Sequence, residues 1–224
     1  QIENEYYSLV RPKQVPLAGE TPSQALANRG VGYVELRAVD VNPYSDIGID
    51  EDTAGFLEVL ALYCLMQDSP ELYDQELEDI EKNQAEVVNR GRAPNAVIIE
   101  HKKQVPILKW MGQHLDHMQS LARVLNQTYA SRIYTQALET MKQRIHKVDE
   151  TLSAKVIQDT LSHKGTWSFG SEMANQHAQS YEAHVLKPDT IEYFKGLAQS
   201  SLQKQQQLEQ ECTQSFDEYL TAFR

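Results

Sequence analysis

Hydrophobic positions change their spacing near residue 50. Ahead of it the pattern is short and broken. Ile2 to Leu9 (IENEYYSL) alternates loosely and carries paired tyrosines, which predicts a strand. Pro12, Pro16 and Gly19 then interrupt regular structure. Thr21-Pro22 joins a helix N-cap to a proline at the first helical position, and Gly30 stands where a helix stops, so SQALANR between them predicts a short helix. Val31 to Val39 predicts a second strand, followed by the turn-rich stretch DVNPYSDIGID.

Beyond Asp50 the period is helical. DEDTAGFLEVLALYCLMQD opens on acids that suit a helix N-terminus and continues as a strongly apolar helix. DQELEDIEKNQAEVVNRGR predicts a charged amphipathic helix closed by Gly91. The apolar triplet Val97-Ile98-Ile99 fits an edge strand or a buried loop. From Ile107 onward the pattern stays helical, with breaks expected near Asn126, Lys164-Gly165 and Lys187-Pro188. The resulting class is α+β, predominantly helical, divided into a strand-containing segment 1–50 and a helical region 51–224 that together make one incomplete domain. Two strands cannot form a stable sheet by themselves, so they call for partner strands from outside this sequence or for pairing with each other under cover of the helices.

Composition narrows the function. The 224 residues carry 32 acidic against 21 basic side chains, a net charge of -11, which repels phosphate backbones and anionic lipid. Nucleic acid and membrane are therefore not expected as partners, and no apolar run approaches the ~20 residues of a membrane helix. Cys64 and Cys212 are the two cysteines. They argue against a disulfide framework and for a reducing, cytoplasmic setting, with Cys64 expected to be buried. The opening residue is Gln1, which suggests a polypeptide that begins elsewhere.

Candidate chemistry gathers in the first fifty residues. Alternation along Tyr33-Val34-Glu35-Leu36-Arg37 puts Tyr33, Glu35 and Arg37 on one face and Val34, Leu36 and Ala38 on the other, which is expected to pack on helices. A carboxylate there can hold a hard cation, and an arginine two residues on suits a carboxylate or phosphoryl group. The competing reading is a solvated strand face with an ordinary ion pair. Ser8, Arg11 and Lys13 lie on a strand end and the loop leaving it, where they could grip phosphates or form an exposed basic turn. Tyr6 and Tyr7 point to opposite faces, so at most one lines a given pocket.

QIENEYYSLVRPK, followed by GETPSQALANRGVGYVELRAVDVNPYSDIGIDED, resembles the proteobacterial-type glutamate–cysteine ligases in order and in spacing. The resemblance covers Gln1 to about Asp52 and identifies the chain as the C-terminal part of such an enzyme. It implies a glutamine-synthetase-like fold, in which these strands belong to an antiparallel active-site sheet around a metal cluster. It further implies ATP-dependent ligation of the γ-carboxylate of glutamate to cysteine through a γ-glutamyl phosphate, the first step of glutathione biosynthesis. On that resemblance Glu35 is a ligand of Mg²⁺ (or Mn²⁺), and Arg37 grips glutamate and steadies the γ-phosphoryl group. Tyr7 walls the cysteine pocket, and Ser8, Arg11 and Lys13 handle nucleotide phosphates. The implied partners are glutamate, cysteine, ATP and the N-terminal part of the same enzyme, without which the chain is expected to be inactive.

Two other functions remain open on the sequence. One is a ligase of the same fold with another amine acceptor, and the other is a non-catalytic helical interaction module. His114 and His117, with Asp116 between them, could bind a metal, but without a third ligand at fixed spacing they read as a solvated helix face. Gly165 and Gly170, beside Trp167 and Phe169, read as a helix connection, and the acidic run Glu71 to Glu86 reads as a solvated face.

Overall fold

The computed structural model describes residues 8–223. In chain order the elements are β1 (Val10–Lys13), α1 (Pro22–Arg29), β2 (Tyr33–Leu36), α2 (Glu51–Leu65), α3 (Asp74–Arg90), β3 (Val97–Glu100), β4 (Lys103–Pro106), α4 (Ile107–Thr128) and α5 (Ile133–His146). A 3₁₀ turn (Val148–Glu150) leads to α6 (Leu152–Ser162), α7 (Thr166–Ala183), α8 (Pro188–Glu211) and α9 (Phe216–Phe223). The chain is thus mostly helical, with two small antiparallel sheets, β1–β2 and β3–β4. It divides into two compact units, residues 1–40 with 178–224 and residues 41–177.

In the first unit, α1 starts where the sequence predicts. Thr21 Oγ1 accepts the Gln24 N–H while Gln24 Oε1 accepts the Thr21 N–H, a reciprocal capping box. The strand predicted over Ile2–Leu9 lies largely outside the described residues; the described strand is Val10–Lys13, downstream of it. Pro12 sits inside that strand instead of ending it. In a two-stranded ribbon each strand has an open edge, where a missing N–H costs no ladder bond. The face expected to pack on helices is open as well: Val34 is 51% and Leu36 38% exposed.

The second unit owes its core to three helices. Val59 of α2, Leu115, Met118, Ala122 and Leu125 of α4, and Tyr134, Leu138 and Ile145 of α5 form one buried cluster. Gly55 lets α2 approach α5: a Cβ there would stand 3.2 Å from Ile133 Cγ1. Polar bonds tie the same helices, Tyr134 Oη donating to Glu58 (2.9 Å) and Thr140 Oγ1 to Asp52 (2.8 Å). Val97-Ile98-Ile99 resolves as a strand of the β3–β4 hairpin, packed through Ala96 and Ile98 against Ile107. The break at residues 147–151 was not among those the sequence suggested.

Candidate functional site

The β1–β2 ladder pairs Val10 with Leu36, Arg11 with Glu35, Pro12 with Val34 and Lys13 with Tyr33. Residues opposite one another in an antiparallel pair share a face, as do alternate residues along each strand. Arg11, Lys13, Tyr33 and Glu35 therefore stand on one side and Val10, Pro12, Val34 and Leu36 on the other. Arg11 and Lys13 belong to the strand itself, not to a loop leaving it. Arg37 continues the pairing, its backbone N–H donating to the Leu9 carbonyl at 2.8 Å.

Glu35 is the centre of this face. Its Oε1 lies 3.0 Å from Arg37 Nε and its Oε2 3.2 Å from Lys13 Nζ. Arg37, and then Lys13, hold its carboxyl below the ordinary carboxylate range, against a smaller opposing effect of desolvation. Oε2 is closed off from solvent and faces the Lys13 ammonium, which neutralises its charge. The Ser8 hydroxyl donates to the Val10 carbonyl two residues away. Tyr7 lies outside the described residues.

Sequence reasoning missed the residues that hold this face in register. Gln14, just past β1, donates from Nε2 to the Gly30 carbonyl (3.1 Å) and accepts the Val15 N–H on Oε1 (3.0 Å). Its side chain lies over Gly32, where a Cβ would come within 2.8 Å of Oε1. The Gly32 N–H reaches the Lys13 carbonyl at 2.8 Å. Arg29 then closes the connection. Nη1 and Nη2 grip Glu20 at 2.9 and 2.6 Å, and Nη2 also reaches the Val15 carbonyl at 2.8 Å. That fork drives the Glu20 pKa down to about 2. The signal in the sequence was the Gly30-Val31-Gly32 step into β2, where a missing side chain admits Gln14.

Glu35 is the candidate metal ligand of this face. A carboxylate is a hard oxygen donor, and here both of its oxygens face basic side chains. Among the described residues no group of three or more His, Cys, Asp or Glu side chains comes together, so further ligands would have to come from outside them. His114 is not the solvated side chain expected. It is half-buried, 4.3 Å from the Trp110 ring and 3.3 Å from Tyr63 Oη, and desolvation lowers its pKa, followed by an opposing pull from Glu100. Cys64 is exposed, contrary to expectation, because its side of α2 faces away from α4 and α5.

Comparison with known proteins places this face in a family. The glutamate–cysteine ligase family model matches residues 1–87. The whole chain aligns with the glutamate–cysteine ligases of Azotobacter vinelandii, at 37% identity, and of Pseudomonas fluorescens, at 35%. Over its whole length the chain is similar to glutamate–cysteine ligases. It spans 42% of the length of these curated relatives. A crystal structure of the Francisella tularensis glutamate–cysteine ligase in complex with AMP matches 99% of this chain and 44% of that one, with a TM-score of 0.85 and 29% identity. A bifunctional glutathione synthetase from Pasteurella multocida shares the fold over 80% of this chain and 22% of its own, with a TM-score of 0.58 and 22% identity. Among the described residues no helix is long and apolar enough to cross a membrane.

Proposed function

We propose that this chain is part of an ATP-dependent ligase that joins the γ-carboxylate of glutamate to the amine of cysteine in the cytoplasm, and that residues 1–50 carry its share of the active site while 51–224 frame it. The observation that carries the reading is the strand face on which Arg37 and Lys13 converge on Glu35, in a family of glutamate–cysteine ligases. The nucleotide in the Francisella relative supports an ATP site. The open edges and bare apolar face of β1–β2 support its membership of a larger antiparallel, glutamine-synthetase-like sheet.

In the proposed reaction a γ-carboxylate oxygen of glutamate attacks the γ-phosphorus of ATP. The bond to the β-phosphate oxygen breaks, ADP leaves, and a γ-glutamyl phosphate forms. The amine nitrogen of cysteine then attacks the γ-carbonyl carbon, loses a proton, and expels inorganic phosphate as the carbon–oxygen bond breaks. Charge neutralisation and alignment dominate such phosphoryl transfer, which suits a face of cations better than a nucleophile. The Arg37 fork orients the glutamate carboxylate and balances charge on the transferring phosphoryl group. Ser8, Arg11 and Lys13 hold the phosphates, and Tyr7 shapes the acceptor pocket. Glu35 is the residue that would hold Mg²⁺ or Mn²⁺, which when bound neutralises phosphate charge. In this structure its carboxylate pairs with Arg37 and Lys13.

The test is product analysis on the longer polypeptide that contains this chain. Phosphate release should require glutamate and cysteine together and match γ-glutamylcysteine formed, while the 224-residue chain by itself should release none. Turnover by the chain alone, or release indifferent to cysteine, would overturn the reading.

A further inference from the structure

Helix α8 runs for 24 residues with no buried residue, Thr190 alone being half-buried. At about 100° per residue, Ile191, Phe194, Leu197, Ala198, Leu202 and Leu208 fall within an arc of roughly 140°. Gln203 lies opposite the centre of that arc, with Glu192, Gln199 and Gln206 beside it, while Ser201, Gln205 and Glu209 interrupt the arc itself. The apolar arc is open: Phe194 is 55%, Leu202 60% and Leu208 57% exposed. At its C-terminal end lies a shallow hollow of about 430 Å³, floored by Ser201, Gln205, Leu208 and Cys212 and rimmed by Lys204 and Glu209. Long helices in proteins are held by packing of their apolar face more than by intrinsic propensity, and an exposed apolar face on a helix of this length marks an interaction surface.

We propose that this face of α8 is a docking surface for the remainder of the same polypeptide, the stretch by which the glutamate–cysteine ligases exceed this chain. The length outside this sequence argues for that occupant. The chain is matched over its whole extent yet spans 42% of its relatives. The Francisella enzyme keeps the fold of 99% of this chain inside a protein in which that fold accounts for 44%, so more than half of that polypeptide is available to cover surfaces left bare here. The partner segment must offer an apolar strip, with one acidic and one basic side chain placed to meet Lys204 and Glu209. The inference rests on the similarity behind the proposed function and not on the reaction.

The test uses the chain and, as probe, the segment of the Azotobacter vinelandii relative that the chain does not match. Light scattering on the mixture should give a one-to-one complex, and hydrogen exchange should slow across residues 191–208. Phe194→Glu with Leu197→Glu should weaken the complex by roughly 100-fold, since it sets two carboxylates against an apolar partner. Gln203→Glu, on the opposite arc, should leave it unchanged. If the segment does not fold separately, the two are made as one polypeptide, and the same pair should lower its melting temperature by several degrees while Gln203→Glu does not. Binding or melting indifferent to the pair would overturn the proposal. So would dimerisation of the chain alone that the pair abolishes, which gives the face to a second copy. γ-Glutamylcysteine formation is scored separately: an α8-dependent complex that makes none sinks the reaction and leaves the docking surface standing.

Discussion

Lys13 Nζ stands 3.2 Å from Glu35 Oε2, a carboxylate oxygen closed off from solvent. The contact joins two strands and makes the position of a basic side chain depend on an acidic one. Glu35→Gln keeps the shape and removes the charge. In the complete enzyme this change is expected to raise the Mg²⁺ requirement and to lower turnover strongly, with folding little altered. Rate against Mg²⁺ concentration and a melting curve decide it; an ordinary metal dependence removes Glu35 from the metal shell.

Arg37 and Tyr7 can be separated by kinetics. Arg37→Lys keeps the charge and loses the planar fork, which is expected to cost roughly 2–5 kcal/mol, or about 30- to 5000-fold in kcat/KM for glutamate. The loss should appear with any amine acceptor, because glutamate is activated first. Tyr7→Ala is expected to raise the KM for cysteine more than that for glutamate. A Tyr7→Ala enzyme that melts early but keeps its cysteine KM would reassign the ring to packing.

Glu20 gives a pH signature. Its pKa of about 2 in the folded chain, against an ordinary 4.5, means the folded state binds fewer protons than the unfolded state between those values. The Glu20–Arg29 pair therefore supports stability fully above about pH 4.5 and loses that support as pH falls towards 2. The difference in melting temperature between the parent chain and Glu20→Gln should narrow across that window. A difference that stays constant from pH 6 to pH 2.5 would count against the pair.

Gly32 and Gln14 should behave as a coupled pair. Gly32→Ala sets a methyl group 2.8 Å from Gln14 Oε1, and the flexible amide must swing off the Gly30 carbonyl to relieve it. The expected cost is about 1 kcal/mol of stability, the worth of one such hydrogen bond. Most of it should vanish when Gly32→Ala is made in a Gln14→Ala background. Additive losses in the double-mutant cycle would mean that the two residues act independently.

The caps of α1 and α2 were legible in the sequence because they are local, whereas the break at residues 147–151 was not. Thr21-Pro22 starts α1 and Asp50 caps α2 through the Thr53 N–H, as their side-chain chemistry dictates. Glu35 and Arg37 do share a face with Lys13, but the pairing that brings them together depends on the register of β1 against β2 across the intervening residues 14–32. Pro12 disguised β1, since a proline reads as a breaker unless the strand is known to lie at an edge. Val34 and Leu36 misled for a different reason. Alternation shows which side chains want cover and says nothing about whether this chain supplies it. His114 looked solvated because the rings that shelter it, Trp110 and Tyr63, come from one turn back on α4 and from α2.

The β3–β4 hairpin turns on His101 and Lys102, which sit at φ 47° and 64° without the help of a glycine. A two-residue loop with both φ angles positive is favoured by Asn-Gly, and neither residue here prefers that geometry. The turn is thus held by what it connects: the strand ladder, Asn83 clasping the backbone of Ile99 on both sides, and Ala96 and Ile98 against Ile107. A turn of this kind cannot nucleate its own hairpin. In the folding transition state of residues 41–177 it should still be open, with kinetic φ-values near zero for Ile98→Val and Asn83→Ala, while Leu138 and Met118 at the helical core are already committed.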